Sequence, residues 1–408
     1  MKKPGHFQAK NKKKNSRDVL SYEQLPLEEY EKKPEAHELR LDRKRVIIGV
    51  SIIVLLVLCV VVYFCRGSIA SCVGIQTQPK EVSYAISGLD VEPGNFRTYS
   101  EGVGYVSDTD FVYMNEDGEK LHSVQIAYAQ PMFRSDKTAG IIYDMGSTGY
   151  TLVSEESTLK SSNTQENIYL ADVTSQLCYG FVTESSGYNA RFEIYSAEHS
   201  LMYAYNFSEY YITSMALSPD GSGAVLCGVS TQQGKSVSAV YVLDFTKEEP
   251  LAKHIIEDEV IFDCDFISSQ SVCAVGSASA FICKGRDFSE IVATSYDQME
   301  LTAYDFNADI GRLTLSLSRS GDGRNCTIRL VDTEGAVQRN IETDYEIISV
   351  STIKDRITVT DGVSLYRYND AGEFEVTHKL LSQCEQIRMY SANSVYILGL
   401  DKVVVCTF

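Results

Sequence analysis

The sequence predicts an all-β protein, a β-propeller of about eight four-stranded blades, preceded by one N-terminal transmembrane helix. Three observations predict it. An uncharged apolar run as long as a bilayer is thick lies near the start. Beyond it, short runs rich in Val, Ile, Tyr, Thr and Phe alternate with Gly, Asp, Asn and Ser clusters, and no amphipathic helix of normal length interrupts them. Those runs recur in sets of four at a spacing of roughly 41 residues, the spacing of a propeller blade.

Residues 1–45 hold 13 Lys and Arg against 8 Asp and Glu. They contain few apolar residues, so no core can form and the segment reads as a disordered basic tail. Residues 46–64 read VIIGVSIIVLLVLCVVVYF, without a charge or a proline. Helical residues rise about 1.5 Å each, so this run approaches the ~30 Å hydrocarbon layer. A lone segment satisfies its backbone hydrogen bonds in lipid only as a helix. Arg40, Arg43, Lys44 and Arg45 precede it, whereas only Arg66 follows closely. The positive-inside rule then places the tail in the cytoplasm, the span at 46–65 in the cell membrane and the rest outside. Forty-five residues before the run are too many for an ordinary cleaved signal peptide, which favours an uncleaved signal anchor.

Residues 66–81 read as a linker, and residues 82–408 as the extracytoplasmic propeller. Within the latter, Tyr241-Val242-Leu243-Asp244 passes through a turn into Leu251-Ala252-Lys253-His254-Ile255. Arg329-Leu330-Val331-Asp332 passes through Glu334-Gly335 into a more polar run. Leu365–Asn369 and Phe111–Asn115 do the same through Asp370-Ala371-Gly372 and Asp117-Gly118. Glycine accepts the positive φ such turns need. Ahead of each pair lies another, clearest where 212–217 enters Ser218-Pro219-Asp220-Gly221 and then Ala224-Val225-Leu226-Cys227. Inner blade strands are covered on both faces and read as continuous apolar runs, while polar outer strands discourage edge pairing.

Units begin near Asn95, Pro131, Asn167, Ile212, Val260, Glu300, Glu346 and Glu385. The last has three strands, 387–390, 395–398 and 403–407, and one strand, 82–86, is left over at the start. That strand is expected to complete the last blade and close the ring. Eight blades result, with seven as the alternative because the first two units are the least regular.

The Ser218-Pro219-Asp220-Gly221 turn followed by an apolar strand resembles that of WD40 and TolB-like repeats. The whole layout (Lys-rich tail, single anchor, Trp-poor β repeat) resembles a family of uncharacterised membrane-anchored propellers from Gram-positive, clostridia-like bacteria. That resemblance implies a bacterial cell-surface protein and supplies no activity. The chain has no Trp, which removes the Trp-Asp ending of standard WD40 repeats. No G-x-S-x-G elbow occurs, which removes a propeller-linked serine hydrolase.

Residues 67–408 hold 23 Lys and Arg against 47 Asp and Glu. Such a surplus opposes nucleic-acid binding, which needs cations to displace counterions. His122, His199, His254 and His378 fall on the outer hairpins of different blades, too far apart to share a metal. Asp108 with Asp110, and Asp263 with Asp265, are spaced to share a strand face, but no Ca²⁺ loop surrounds them and they read as ordinary turn or edge residues. Cys178, Cys227, Cys264, Cys273, Cys283, Cys326, Cys384 and Cys406 mostly lie in apolar strand runs and read as buried thiols. Cys264 and Cys273, on adjoining strands, are the best candidate disulfide pair. No catalytic, cofactor-binding or metal-binding residue is assigned, and no cofactor is implied.

Taken together, these features predict a membrane-anchored extracytoplasmic binding or scaffold module. It recognises a protein, peptide or cell-wall glycan through a loop face, and the bilayer is its other partner, through residues 46–65. The alternative is an exported glycan-acting hydrolase or lyase. That reading requires two or three carboxylates with basic or aromatic company in the central channel.

Overall fold

A computed structural model describes residues 56–57, 79–319 and 324–408. The expected tail lies outside the described residues, as do nearly all of the expected span and linker. Among the described residues no helix is long and apolar enough to cross a membrane. Thr77–Phe408 forms a compact unit of its own.

That unit contains eight antiparallel four-stranded sheets. Their first strands are Phe96–Tyr99, Pro131–Asp136, Ile168–Val173, Tyr211–Leu217, Ile261–Ser268, Glu300–Asn307, Ser349–Ile353 and Gln386–Ser391. Blades 1 to 8 are numbered by them in that order. Seven expected starts fall within one residue of these. The eighth, Glu346, comes three residues before Ser349 because Ile347 belongs to the core ahead of the ladder. The seven-blade alternative is thereby overturned.

The ring closes as the leftover strand requires. Lys80–Ala85 pairs antiparallel with Lys402–Thr407, in register from Lys80 opposite Thr407 to Ala85 opposite Lys402. Blade 8 therefore takes its outer strand from the start of the propeller and its other three from the end.

Each blade buries its faces only against its neighbours. Among the described residues there are eight apolar clusters, and each bridges one pair of adjacent blades. Second strands such as Ser271–Gly276 are buried throughout, whereas fourth strands such as Ala252–Glu257 alternate with solvent. Phe133 shows how closely the blades approach. Its ring is fully buried between blades 1 and 2, where burial contributes about 2 kcal/mol. A Cβ at either Gly104 or Gly140 would come within 2.8 Å of that ring, so both positions lack a side chain to make room.

Two faces follow from the meander. Each first strand starts at one face, and the turn between second and third strands returns to it. We call this the entry face. The closing strand ends there too, at Ala85, and begins at Lys80 on the opposite face.

Candidate ligand-binding channel and loop face

The eight first strands line a central channel. A cavity of about 460 Å³ occupies it, lined from blades 1, 2 and 5 to 8. Arg388 of blade 8 and Arg97 of blade 1 line it, and Arg134 of blade 2 lies near enough to act on both electrostatically. Asp263 and Asp265 of blade 5 and Asp305 of blade 6 line it too, and Asp172 of blade 3 acts on Arg97 and Arg134 from nearby. The charges are segregated around the lumen, and no Arg–Asp pair across it lies within ion-pair distance.

Local chemistry explains where each group points. Phe96-Arg97, Phe133-Arg134 and Ile387-Arg388 each place an apolar residue in the core and turn the next residue to the lumen. Arg97 spends only Nε on protein, donating to Gly94 O at 3.1 Å. Arg134 donates through Nη1 to Phe133 O at 3.2 Å. Arg388 donates from Nε to Phe96 O at 3.2 Å across the seam between blades 8 and 1. With its oxygen assigned toward Arg388, the Gln386 amide accepts from that guanidinium as well.

The aspartates are partly occupied in stitching blades together. Asp172 Oδ2 accepts from Leu217 N at 2.8 Å. Asp305 Oδ2 accepts from Thr352 N at 2.7 Å and Thr352 Oγ1 at 2.6 Å. Asp263 accepts from Ser214 Oγ and Tyr304 OH, both at 2.8 Å, one on each oxygen. Asp265 Oδ1 accepts from Phe266 N at 2.7 Å. Among the described residues, one oxygen each of Asp265 and Asp305 has no protein donor.

The electrostatics follow from depth and like-charge crowding. All seven residues are half-buried. Even so, burial, reinforced by Arg134 and Arg388, pulls the Arg97 guanidinium down to about 9. Burial also lowers Arg388. On the other wall, burial and the charges of Asp172 and Asp263 push the Asp265 carboxyl up to about 8. Burial carries Asp172 to about 6 despite its backbone donors, and raises Asp305.

The channel opens toward an apolar stretch of the entry face. Leu89, Val363, Leu381 and Leu400 are 87%, 53%, 84% and 63% exposed. They sit on the loops of blades 7 and 8 and on the connection into blade 1. Hydrogen bonds draw these loops together: Leu380 N to Val363 O, Glu385 N to Leu398 O, and Ile86 N to Asp401 O. Leu89 is pinned by its own N–H donating to Asp108 Oδ1 at 2.8 Å. The connections that carry Leu89 and Leu381 continue to Pro93, Gly94, Glu385 and Gln386, which line the cavity.

Several expected features take different places. Asp263 and Asp265 are channel residues, not turn or edge residues, because their strand is the innermost of its blade. Asp108 and Asp110 do hold a turn: Asp110 Oδ2 accepts from Ser87 Oγ at 3.2 Å, so the pair clasps the connection from the closing strand. The four histidines are separate, each with its own partner: Ser154 O for His122, Tyr179 OH for His199, Phe288 O for His254 and Glu81 for His378. Among the described residues no three His, Cys, Asp or Glu converge as metal ligands. All eight propeller cysteines are free, and all but Cys178 are buried. Cys264 and Cys273 form no disulfide. Cys264 lies opposite Ala274, so Cys273 points to the other face of blade 5. Cys264 joins the core shared with blade 4, and Cys273 that shared with blade 6.

The arginine arc escaped the sequence reading. Its trace is an apolar-Arg pair in the first strand of the first, second and last units, visible only once units are aligned on one another.

No curated protein matches the chain. Among solved structures it is similar to BamB from Moraxella catarrhalis, with TM-score 0.52 and 11% identity over 80% of this chain and 100% of that one. It is also similar to a eukaryotic initiation factor, with TM-score 0.53 and 11% identity over 79% of this chain and 90% of the other. At such identities the likeness is one of fold. The sequence pattern of one family covers residues 79–405, and by that match the chain belongs to the Family of unknown function (DUF5711).

Proposed function

We propose that this protein is a membrane-anchored, extracytoplasmic recognition module. Residues 46–65 cross the bilayer once, the basic tail stays in the cytoplasm, and the propeller binds a protein or peptide through its entry face. The organisation accords with a surface protein of Gram-positive bacteria. The observation that carries the reading is the exposed aliphatic stretch, Leu89, Val363, Leu381 and Leu400, at the mouth of a charged channel. Exposed apolar side chains gathered on one face of a rigid scaffold mark interaction sites. The test has two arms. A membrane-impermeant amine label applied to intact cells is expected to reach propeller lysines and spare the tail. Affinity capture of the full chain after cross-linking on intact cells is expected to recover a reproducible partner, lost when Leu89 and Leu381 become Ser. Labelling of the tail instead, or a partner indifferent to both substitutions, contradicts the reading.

A second reading has support of its own. Asp263, Asp265 and Asp305 converge beside Tyr304 in the channel, and Asp265 is held protonated near neutrality, as a general acid would be. Against a catalytic pair, both oxygens of Asp263 are occupied by protein donors. Glycan cleavage by the full chain that disappears in Asp265→Asn would favour the enzyme.

A further inference from the structure

We infer that the channel mouth captures the C-terminal carboxylate of an apolar peptide, with Arg97 as its main contact and the entry-face aliphatics seating the preceding side chains. The inference rests on the recognition reading above and names its ligand class.

Three independent features lead to it. First, Arg388, Arg97 and Arg134 bring like charges together on one side of the lumen, and Arg97 registers the repulsion of both others. Crowding guanidinium groups away from bulk water is unfavourable unless an anion joins them. No protein carboxylate does so at ion-pair distance, and the Nη groups of Arg97 have no protein acceptor among the described residues. A carboxylate matches the planar fork of such a group.

Second, the arginines lie near the mouth. Arg97 is the second residue of Phe96–Tyr99 and Arg388 the third of Gln386–Ser391, and both strands begin at the entry face. The loops that run into these two strands are those that expose Leu89 and Leu381. A chain lying on the aliphatics thus reaches Arg97 and Arg388 with its end.

Third, the far wall selects polarity. Asp263 and Asp305 face the arc across the cavity, so an anion is held to the arginine side and a second one is repelled. The cavity of about 460 Å³ admits a chain terminus, within the usual range for small-molecule sites.

The experiment uses the full chain in detergent and calorimetric titration with N-acetyl-Gly-Leu-Leu-Val as free acid, the same peptide as C-terminal amide, and N-acetyl-Gly-Ser-Ser-Ser as free acid. The free Leu-Leu-Val acid is expected to bind about tenfold or more tighter than the amide, the scale of one charge-assisted contact. Arg97→Met is expected to erase that preference, chiefly by weakening the acid; Arg97→Lys is expected to retain part of it. Leu381→Ser is expected to weaken acid and amide alike. Unchanged melting of each variant shows that the ring persists, and if Arg97→Met does not fold, Arg97→Lys and Leu381→Ser carry the comparison. Equal binding of acid and amide overturns the inference, as does a preference that survives Arg97→Met. Preference for the Ser-Ser-Ser acid, or binding of chitotetraose in place of the peptides, also overturns it. A partner still captured on cells while the peptides fail sinks this inference and spares the recognition reading. Tail labelling with peptide binding intact does the reverse.

Discussion

His378 Nε2 lies 2.7 Å from Glu81 Oε1, although 297 residues separate them. The contact joins the fourth strand of blade 7 to the closing strand, which belongs to blade 8. The Glu81 side chain is only 4% exposed, so its carboxylate has exchanged water for this one partner. Ring closure therefore includes a buried polar link besides the six register pairs of the Lys80–Ala85 ladder.

Removing one partner leaves the other buried and unpaired. His378→Ala is expected to lower stability by about 1–3 kcal/mol, read by urea melting of the propeller. Deleting 80–85 is expected to abolish cooperative melting altogether, since the apolar outer face of Lys402–Thr407 then meets water. A ring that melts cooperatively without those residues would contradict the closure described here.

Asp265 makes stability depend on pH. Its folded value of about 8 lies above the ordinary carboxylate value near 3.9. Between about pH 4 and pH 8 the folded state holds a proton that the unfolded chain has released. Stability therefore falls as pH rises through that window and levels off above it. Asp172, raised to about 6, adds a decline that ends lower. Asp265→Asn is expected to flatten the fall in Tm between pH 6 and pH 8, roughly the interval between the Asp172 and Asp265 values. Equal slopes for variant and parent would refute this.

Gly88 has φ +96°, and a Cβ there would lie 2.3 Å from Ser107 Oγ. It shapes the loop that presents Leu89. Gly88→Ala is expected to cost about 1–3 kcal/mol through strain and the forced shift of Ser107. The same shift should weaken capture of any entry-face partner. Denaturant titration and the capture assay read the two effects separately.

The propeller thiols should divide by burial. Alkylation of the native protein with iodoacetamide is expected to label Cys178 well before Cys227, Cys264, Cys273, Cys283, Cys326, Cys384 and Cys406. Burial pushes Cys283, Cys384 and Cys406 up to about 12, so little thiolate is present to react. Peptide mapping without reductant is expected to find no Cys264–Cys273 bridge.

Local chemistry determined the architecture. Turns such as Ser218-Pro219-Asp220-Gly221, apolar second strands and polar fourth strands are set by neighbours a few residues apart, so the sequence alone marked the blades and the strand that closes the ring, while the structure decided eight blades over seven. The site is different in kind. Arg97 and Arg388 meet only because the first and last blades are joined, and the sense of Asp263 and Asp265 depends on their strand being innermost. Cys264 and Cys273 part company through a register offset of one residue, which sends neighbouring side chains to opposite faces. Tertiary structure decided these points because a ring brings together side chains that no spacing along the chain relates.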